Sequence, residues 1–572
     1  MHYLALALDY DGTLATNSKV NDDTLAALKQ VKESGRKLLL VTGRHLDDLL
    51  QVFPELDWFD RIVAENGALI YSPATKQEHL LGELPPEAFI QELRDRGVDN
   101  LGVGKVIVAT WTPHETTVLE TIRDFGLERQ VIFNKGAVMV LPSGINKAAG
   151  LKAALEQMGL SPHNVVGVGD AENDQAFLDV CQFSVAVNNA LPIVKEKCDW
   201  VTQGSRGEGV IELINHLLSS DLEECKPQSQ RRQILLGQRE EDGSEVNIQP
   251  HGTSLLLAGT SGGGKSTLAT GILERLIDQE YQICIIDPEG DYNDFEGAVV
   301  LGSSHQAPSV TEILDLLEQP HQNLVVNLLG VKLEQRPAFF MGLLPALLEM
   351  RARTGRPHWI LVDEAHHLLP SSWDIASITL PQALNGMILI TVHPDHVAVP
   401  ALKLVDTLIA IGKEPAKTLT TFCNTIGHCP PDQLMSGDLE QGIVLGWFQK
   451  TQESPFRFKI EPPRMERRRH VRNYAEGNLG DDKCFVFRGA EQKLNLKAQN
   501  LMMFTQLAAG IDEDTWLYHL HQQDYSTWFR EAIKDDSLAD EAAQVETQAD
   551  LTADDSRDRI LSLVEQRYTL PA

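Results

Sequence analysis

Asp9 and Asp11 leave the end of the apolar stretch LALAL with one residue between them. Parallel α/β sheets bind ligands beyond the carboxyl ends of their strands, so both carboxylates stand where such a sheet does chemistry. A second constellation is GTSGGGKST, residues 259–267, which fits GxxxxGK followed by Ser or Thr and comes directly after the strand-like SLLLA. The spacing has a physical meaning. Backbone amides of Gly262, Gly263, Gly264, Lys265 and Ser266 would enclose a β-phosphate at a helix N-terminus; Lys265 would reach the β and γ oxygens, and Ser266, ahead of Thr267, would meet Mg²⁺. Gly259 opens the loop, and the motif predicts ATP binding. Downstream, HWILVDEAHH puts Asp363 and Glu364 at the end of another apolar run. There Asp363 would hold the Mg²⁺ shell and Glu364 would polarise the attacking water, so hydrolysis is expected as well as binding.

Elements must deliver these groups. Over residues 1–217 the apolar runs LALALDYD, KLLLVTGR, RIVAENGALIY and NVVGVGD alternate with helical stretches, the rhythm of a parallel sheet with crossover helices. Residues 78–145 break it with a helix and strand pattern of their own and read as an inserted α+β cap. Residues 218–231 turn polar and read as a linker, with a hairpin before the next strand. QICIIDPEG, NLVVNLL, HWILVDEAHH, MILITVHP and TLIAIG then predict a second doubly wound parallel sheet over 232–460. Residues 461–572 open with the basic cluster Arg464 to Arg472, read as a solvated linker. A mainly helical accessory domain follows, with an acidic tail from about 534 expected to be loosely held. The predicted class is α/β: two doubly wound domains and a helical C-terminal one.

DYDGT resembles the first motif of the haloacid dehalogenase superfamily of phosphatases, in which the first Asp attacks phosphorus and the second is general acid and base. The resemblance continues in chain order through Thr42 in VTGR, Lys147 in GINKAAGL, and Asp170, Asn173 and Asp174 in GDAEND. It implies Asp9 as nucleophile, Asp11 as acid and base, and Thr42 as a phosphate holder. It also implies a Mg²⁺ shell built from Asp9, the Asp11 carbonyl and Asp170, with Asn173 and Asp174 orienting it. The electrostatic need is plain: a carboxylate approaches a phosphate dianion only when Mg²⁺ and Lys147 offset the repulsion. A cap between the Thr42 and Lys147 motifs resembles the type IIB, Cof-like branch, which implies a sugar phosphate or similar small metabolite as substrate. The insertion is short for that branch and resembles the smaller caps of sucrose-phosphate and mannosylglycerate-type phosphatases. Lys105, His114 and Asn134 in it are candidates to bind substrate, though each reads first as solvated surface.

IIDPEGDY and VDEAH resemble the HerA and FtsK branch of ring-forming ATPases, which implies a homo-oligomer, usually a hexamer, acting on DNA or protein. Where such motors often carry a glutamine, this chain reads ITVHP, leaving Thr391 or His393 to sense the γ-phosphate. Arg351, Arg353 and Arg356 are candidates for an arginine acting on a neighbouring subunit, though each reads first as a solvated helix-end residue. His366 and His367 read as structural. HLHQQDYSTW resembles a helical module found beside other enzymes, and His519, Asp524 and Trp528 in it read as core.

Composition narrows the field. Fifty basic against 81 acidic residues leave a net charge of −31, which repels nucleic acid and anionic lipid. The seven cysteines are scattered, no run approaches the roughly 20 apolar residues of a membrane span, and no export signal is visible, so a cytoplasmic protein is expected. The leading reading is a Mg²⁺-dependent phosphomonoesterase for a small phosphorylated metabolite, fused to an ATPase that assembles or regulates it. The alternatives are an ATP-driven nucleic-acid motor with an accessory phosphatase, and a nucleotide-gated scaffold.

Overall fold

Apolar runs without alternation suit strands covered on both faces, and the sheets are built from them. The computed structural model describes residues 1–134, 136–225, 227–260, 263–372, 384–431, 439–440, 442–451, 453–464, 484–489, 494–533, 535–548 and 551–568. Gly262, and the basic cluster beyond Arg464, lie outside the described residues.

The unit Met1–Glu461 holds two large sheets. The first is built from Ala5–Leu8 (β1), Lys37–Val41 (β2), Arg61–Ala64 (β3), Leu69–Ser72 (β4) and Gln77–Leu80 (β5). A cap sheet follows, made of Gly102–Val103 (β6), Val108–Trp111 (β7), Arg129–Asn134 (β8) and Ala137–Pro142 (β9), before Val165–Gly169 (β10), Phe183–Ala186 (β11) and Trp200–Val201 (β12) return to the first sheet. Its order is β12-β11-β10-β1-β2-β3-β4-β5, parallel from β12 to β3. Leu8 lies opposite Val168, so the loops after β1 and β10 emerge side by side and bring Asp9 to Asp170. The expected insertion began at residue 78, but Gln77–Leu80 pairs with β4 as the core sheet's edge, and the cap elements start after it. In the cap, Phe89, Leu93, Val118 and Ile122 from two helices bury one face of the β6-β7-β9-β8 sheet through Val108, Val138 and Val140.

The second sheet comprises Ile234–Arg239 (β13), Glu245–Ile248 (β14), Ser254–Gly259 (β15), Ile283–Asp287 (β16), Ala298–Leu301 (β17), Asn323–Asn327 (β18), Trp359–Val362 (β19), Met387–Thr391 (β20), Thr407–Ile411 (β21), Ile443–Phe448 (β22) and Phe456–Ile460 (β23). β21-β15-β20-β19-β16-β18-β17 run parallel, and β22, β23, β13 and β14 extend one edge antiparallel. β13 and β14 form the hairpin expected before the P-loop strand.

Buried polar contacts join the two sheets. His163 stacks on Tyr281 with centroids 3.7 Å apart, and Tyr281 Oη donates to Gln182 Oε1 at 2.7 Å. Residues 218–231, expected as a linker, end in Arg231, whose guanidinium pairs with buried Asp199 at 2.7 Å. Arg356 is buried and Arg351 half-buried: Arg351 donates to the carbonyls of Pro357 and Asn385, and Arg356 to those of Gly159, Leu317 and Glu318. Both therefore brace the chain instead of lying in solvent, while Arg353 is exposed and pairs with Glu318.

The unit Pro462–Ala572 has an antiparallel pair, Phe485–Phe487 (β24) and Leu496–Ala498 (β25), followed by helices around a core that includes Phe485, Phe504, Trp516, Tyr525 and Phe529. The tail expected to be loose forms helices Asp536–Glu546 and Ala553–Tyr568, because Leu538, Ala539, Ala542 and Val545, then Ile560 and Val564, recur at helical spacing and bury in that core. Average acidity hid the stripe. His519 is satisfied on both ring nitrogens, Nδ1 against Asp524 at 2.7 Å and Nε2 accepting from the Arg488 amide at 3.1 Å.

Candidate active sites

At the carboxyl edge of the first sheet, Lys147 opens the helix Lys147–Gln157, whose N-terminus is capped by the Asn146 side chain. Its Nζ lies 2.6 Å from Asp9 Oδ1 and 2.6 Å from Asp174 Oδ1. The other Asp174 oxygen accepts from the amides of Asp170 and Ala171, at 2.9 Å each, so Asp174 is occupied in orienting the loop. Oxygens of Asp9, Asp170 and Asp174 lie within 4.8 Å of one another. Glycine is required beside them: Gly12 has φ +91°, and a Cβ there would meet Asp170 Oδ2 at 2.3 Å. An all-oxygen donor set of this compactness fits a hard divalent cation.

Burial, and then Asp174, push the Asp9 carboxyl up to about 8 against the pull of Lys147. Burial works against the Lys147 ammonium, but Asp174 and Asp9 outweigh it and hold it above its ordinary value. Thr42, buried at the start of the loop after β2, accepts from the Arg44 amide at 3.1 Å. Asn173 donates to Asn66 Oδ1 at 3.1 Å.

Four residues that the motifs passed over surround the site, Arg44 and Asn189 against its carboxylates and Glu65 and Asn66 behind it. Arg44 grips both Asp11 oxygens, Nε to Oδ2 at 2.6 Å and Nη2 to Oδ1 at 2.7 Å, and also holds Asp48 and Ser18. Hydrogen bonding to Asp11 is the main reason its guanidinium is held above the ordinary value. Asn189 donates to the Gly12 carbonyl at 2.8 Å and lies 3.4 Å from Asp170 Oδ2. Glu65 and Asn66 follow β3 with φ of +52° and +55°, strained for non-glycine residues, at about 1–3 kcal/mol each. VTGR displayed Arg44 two residues after Thr42, and a polar ENG at a strand end is a signal of the same kind; nothing local marks Asn189.

A cavity of about 280 Å³ opens between core and cap. Asp9, Asp11, Thr42, Arg44, Lys147 and Asn173 line it from the core, and Asn100, Thr110, Trp111, Asn134 and Met139 from the cap. Asn134, read as solvated surface, therefore faces the cavity. Lys105 pairs with Glu78, and His114 with Asp99 at 2.7 Å.

The second site lies where β15 meets the helix Lys265–Asp278. Gly259 packs on β21 so tightly that a Cβ would meet Ile411 O at 1.9 Å; Gly264 caps the helix at φ +98°. Gly263 belongs to the same loop, and Ser266 and Thr267 are half-buried in the first helical turn. Lys265 donates to the carbonyls of Gly259 and Thr260, 3.0 Å each, and burial lowers its ammonium. Beyond β19, Asp363 is pushed up to about 8 by burial and then by Glu364. Glu364 sits at φ +40° and is raised by burial. His366 Nδ1, expected to be only structural, lies 3.3 Å from Glu364 Oε2 and 3.2 Å from Thr391 Oγ1. Thr391 and Glu364 thus flank one ring nitrogen, whereas His393 is exposed. Asp287 accepts from the amides of Glu289, Gly290, Asp291 and Tyr292, which shapes the loop after β16.

Fold and sites together describe a phosphate-processing hydrolase with a separate P-loop. Residues 6–105 and 98–214 match the haloacid dehalogenase-like hydrolase family, and residues 241–340 match the central domain of helicase HerA. The chain is 30% identical over 218 residues to a phosphoglycolate phosphatase of Haloarcula marismortui, covering 36% of this chain and 95% of that protein. A phosphoglycolate phosphatase of Methanothermobacter thermautotrophicus is 29% identical over 223 residues, covering 37% and 98%. A solved haloacid dehalogenase-like hydrolase from Bacteroides thetaiotaomicron is 22% identical, covers 38% of this chain and 99% of its own, and gives a TM-score of 0.34. The chain belongs to the haloacid dehalogenase-like hydrolase family and carries, in the same polypeptide, a HerA-type P-loop ATPase domain. It is a phosphatase acting on a phosphorylated substrate, joined to an ATPase. Among the described residues, no helix is long and apolar enough to cross a membrane.

Proposed function

We propose that the N-terminal domain hydrolyses a small phosphomonoester in two displacements through Asp9. The Asp9 carboxylate attacks phosphorus as the P–O bond to the leaving group breaks, and Asp11 gives that oxygen a proton. Asp11 then takes a proton from water, whose oxygen attacks the aspartyl phosphate and restores Asp9. Asp9, Asp170 and the Asp11 carbonyl would hold Mg²⁺, which supplies charge neutralisation for an anion attacked by an anion. Lys147 sets the Asp9 carboxylate in line, and Thr42 receives a phosphate oxygen. Asp11 must be released by Arg44 on at least one oxygen before it can transfer a proton.

The observation that carries this reading is the pair of 2.6 Å contacts from Lys147 to Asp9 and Asp174, beside Asp170 and beneath a cap. The cap side of the cavity offers Asn100, Thr110, Asn134 and Trp111, groups suited to a neutral hydroxylated leaving group such as a sugar. Among the described lining residues the cations are Arg44 and Lys147, each already paired with carboxylates, which disfavours a second anionic group like that of phosphoglycolate.

The second domain binds ATP through Lys265 and hydrolyses it with Glu364, in this reading, with Ser266 and Asp363 holding Mg²⁺. It assembles the chain into an oligomer that presents or regulates the phosphatase. The test is phosphate release from a panel of sugar phosphates and phosphoglycolate by wild type and Asp9→Asn. Equal activity in both would remove the nucleophile. ATP turnover stimulated by DNA at low salt would favour the motor reading instead; none is expected from a chain of net charge −31.

A further inference from the structure

The turn Glu65–Gly67 contacts the Thr42 loop, Asn173 and the residue before Lys147. Its amides bond to the carbonyls of Arg44 (from Glu65, 2.9 Å) and Thr42 (from Asn66, 3.0 Å), and Asn66 Oδ1 accepts from Asn173. Gly67, at φ +104°, lies so close to the residue before Lys147 that a Cβ would meet Asn146 O at 1.9 Å. The Glu65 side chain points the other way, into the cap. Its carboxylate is buried and accepts three successive amides there: Lys105 at 2.8 Å on Oε1, and Val106 at 2.8 Å and Ile107 at 3.1 Å on Oε2. Those amides form the turn between β6 and β7, the strands that carry Gly102, Thr110 and Trp111 to the cavity. Gly104 leaves space for the carboxylate, since a Cβ there would lie 2.7 Å from Glu65 Cδ.

We infer that Glu65 is a positioning residue for the phosphatase, a clasp by which the core fixes the cap in register with the catalytic loops and so sets the choice of leaving group. Apolar contact among Val106, Ile107, Met139 and Leu141 also holds this region, but such contact is non-directional. Three charge-assisted hydrogen bonds to one carboxylate fix a single register. Two successive left-handed residues persist where their surroundings over-determine them, and contacts to the Thr42 loop, the Asn173 loop and the Lys147 helix supply that constraint.

The inference rests on the phosphatase reading, and its test separates the two. Full-length Glu65→Gln keeps the shape of the side chain but turns an amide donor toward backbone donors. Peptides spanning 102–107 should exchange amide hydrogens about tenfold faster in it than in wild type. KM for the best metabolite substrate should rise about tenfold, while turnover of p-nitrophenyl phosphate, which needs little from the cap, changes by less than about twofold. ATP turnover reports that the chain is folded. Gly104→Ala, which pushes the carboxylate aside, should shift exchange and KM in the same direction, and it serves if Glu65→Gln does not fold. Wild-type exchange in both variants, or equal loss on both substrates, overturns the clasp. A wild type without phosphatase activity would count against the proposed function, with exchange still deciding the clasp.

Discussion

Two lysines at two sheet edges are prepared for phosphate in opposite ways. Lys147 holds Asp9 and Asp174 at 2.6 Å, so the fold itself supplies its counter-charges and aims the carboxylate that is to attack. Lys265 instead donates to two carbonyls of its own loop, while Asp363 and Glu364 across the sheet are driven up by burial. A phosphate entering the first site meets a lysine already in place. At the second, the ammonium must exchange carbonyl oxygens for phosphate oxygens. The first arrangement suits a reaction in which a protein group is the nucleophile. The second suits one in which the protein cradles the nucleotide and directs water.

The contrast can be broken at its two anchors, where the largest effects are expected. Asp9→Asn should lower phosphatase turnover by on the order of 10⁴-fold or more and leave ATP turnover unchanged. Lys265→Ala should lower ATP turnover by about 10² to 10³-fold and change the phosphatase only as far as assembly governs it. Loss of ATP turnover in Asp9→Asn would mean that the sites are not separate. Arg44→Ala should slow the phosphatase by about ten- to a hundredfold, because Asp11 loses its orientation; unchanged kcat would show that the bidentate pair is incidental. Asn189→Ala should raise the Mg²⁺ concentration for half-maximal phosphatase activity about tenfold, through the loop that carries Asp170, and leave the ATPase alone. The smallest effect sharpens the other side. His366→Ala should reduce ATP turnover about tenfold without changing nucleotide affinity, which equilibrium binding can check.

What was legible in the sequence followed the strands. Asp9, Asp170, Asp363 and the 259–267 loop each sit where an apolar run ends, so the run itself announces the site. Groups recruited across the fold were hidden. Arg44 meets Asp11 across 33 residues, Glu65 meets the cap across 40, and Asn189 meets Gly12 across 177, and no local spacing encodes such pairings. Arg351 and Arg356 look like solvated helix-end residues until the carbonyls of neighbouring elements surround them. Residues 536–564 show the reverse error, since acidic composition concealed a narrow apolar stripe that docks two helices. His366 reads as structural in the sequence, and its place becomes visible only where the fold brings Nδ1 within 3.3 Å of Glu364 and 3.2 Å of Thr391.

The most direct measurement is chemical trapping of the covalent intermediate. Full-length protein turning over its best phosphomonoester with Mg²⁺ is quenched in acid, reduced with borohydride and mapped by mass spectrometry. Homoserine is expected in place of aspartate at residue 9, with residue 11 unmodified. Reduction at another carboxylate, or a fully active enzyme that never shows the residue 9 product, would contradict it.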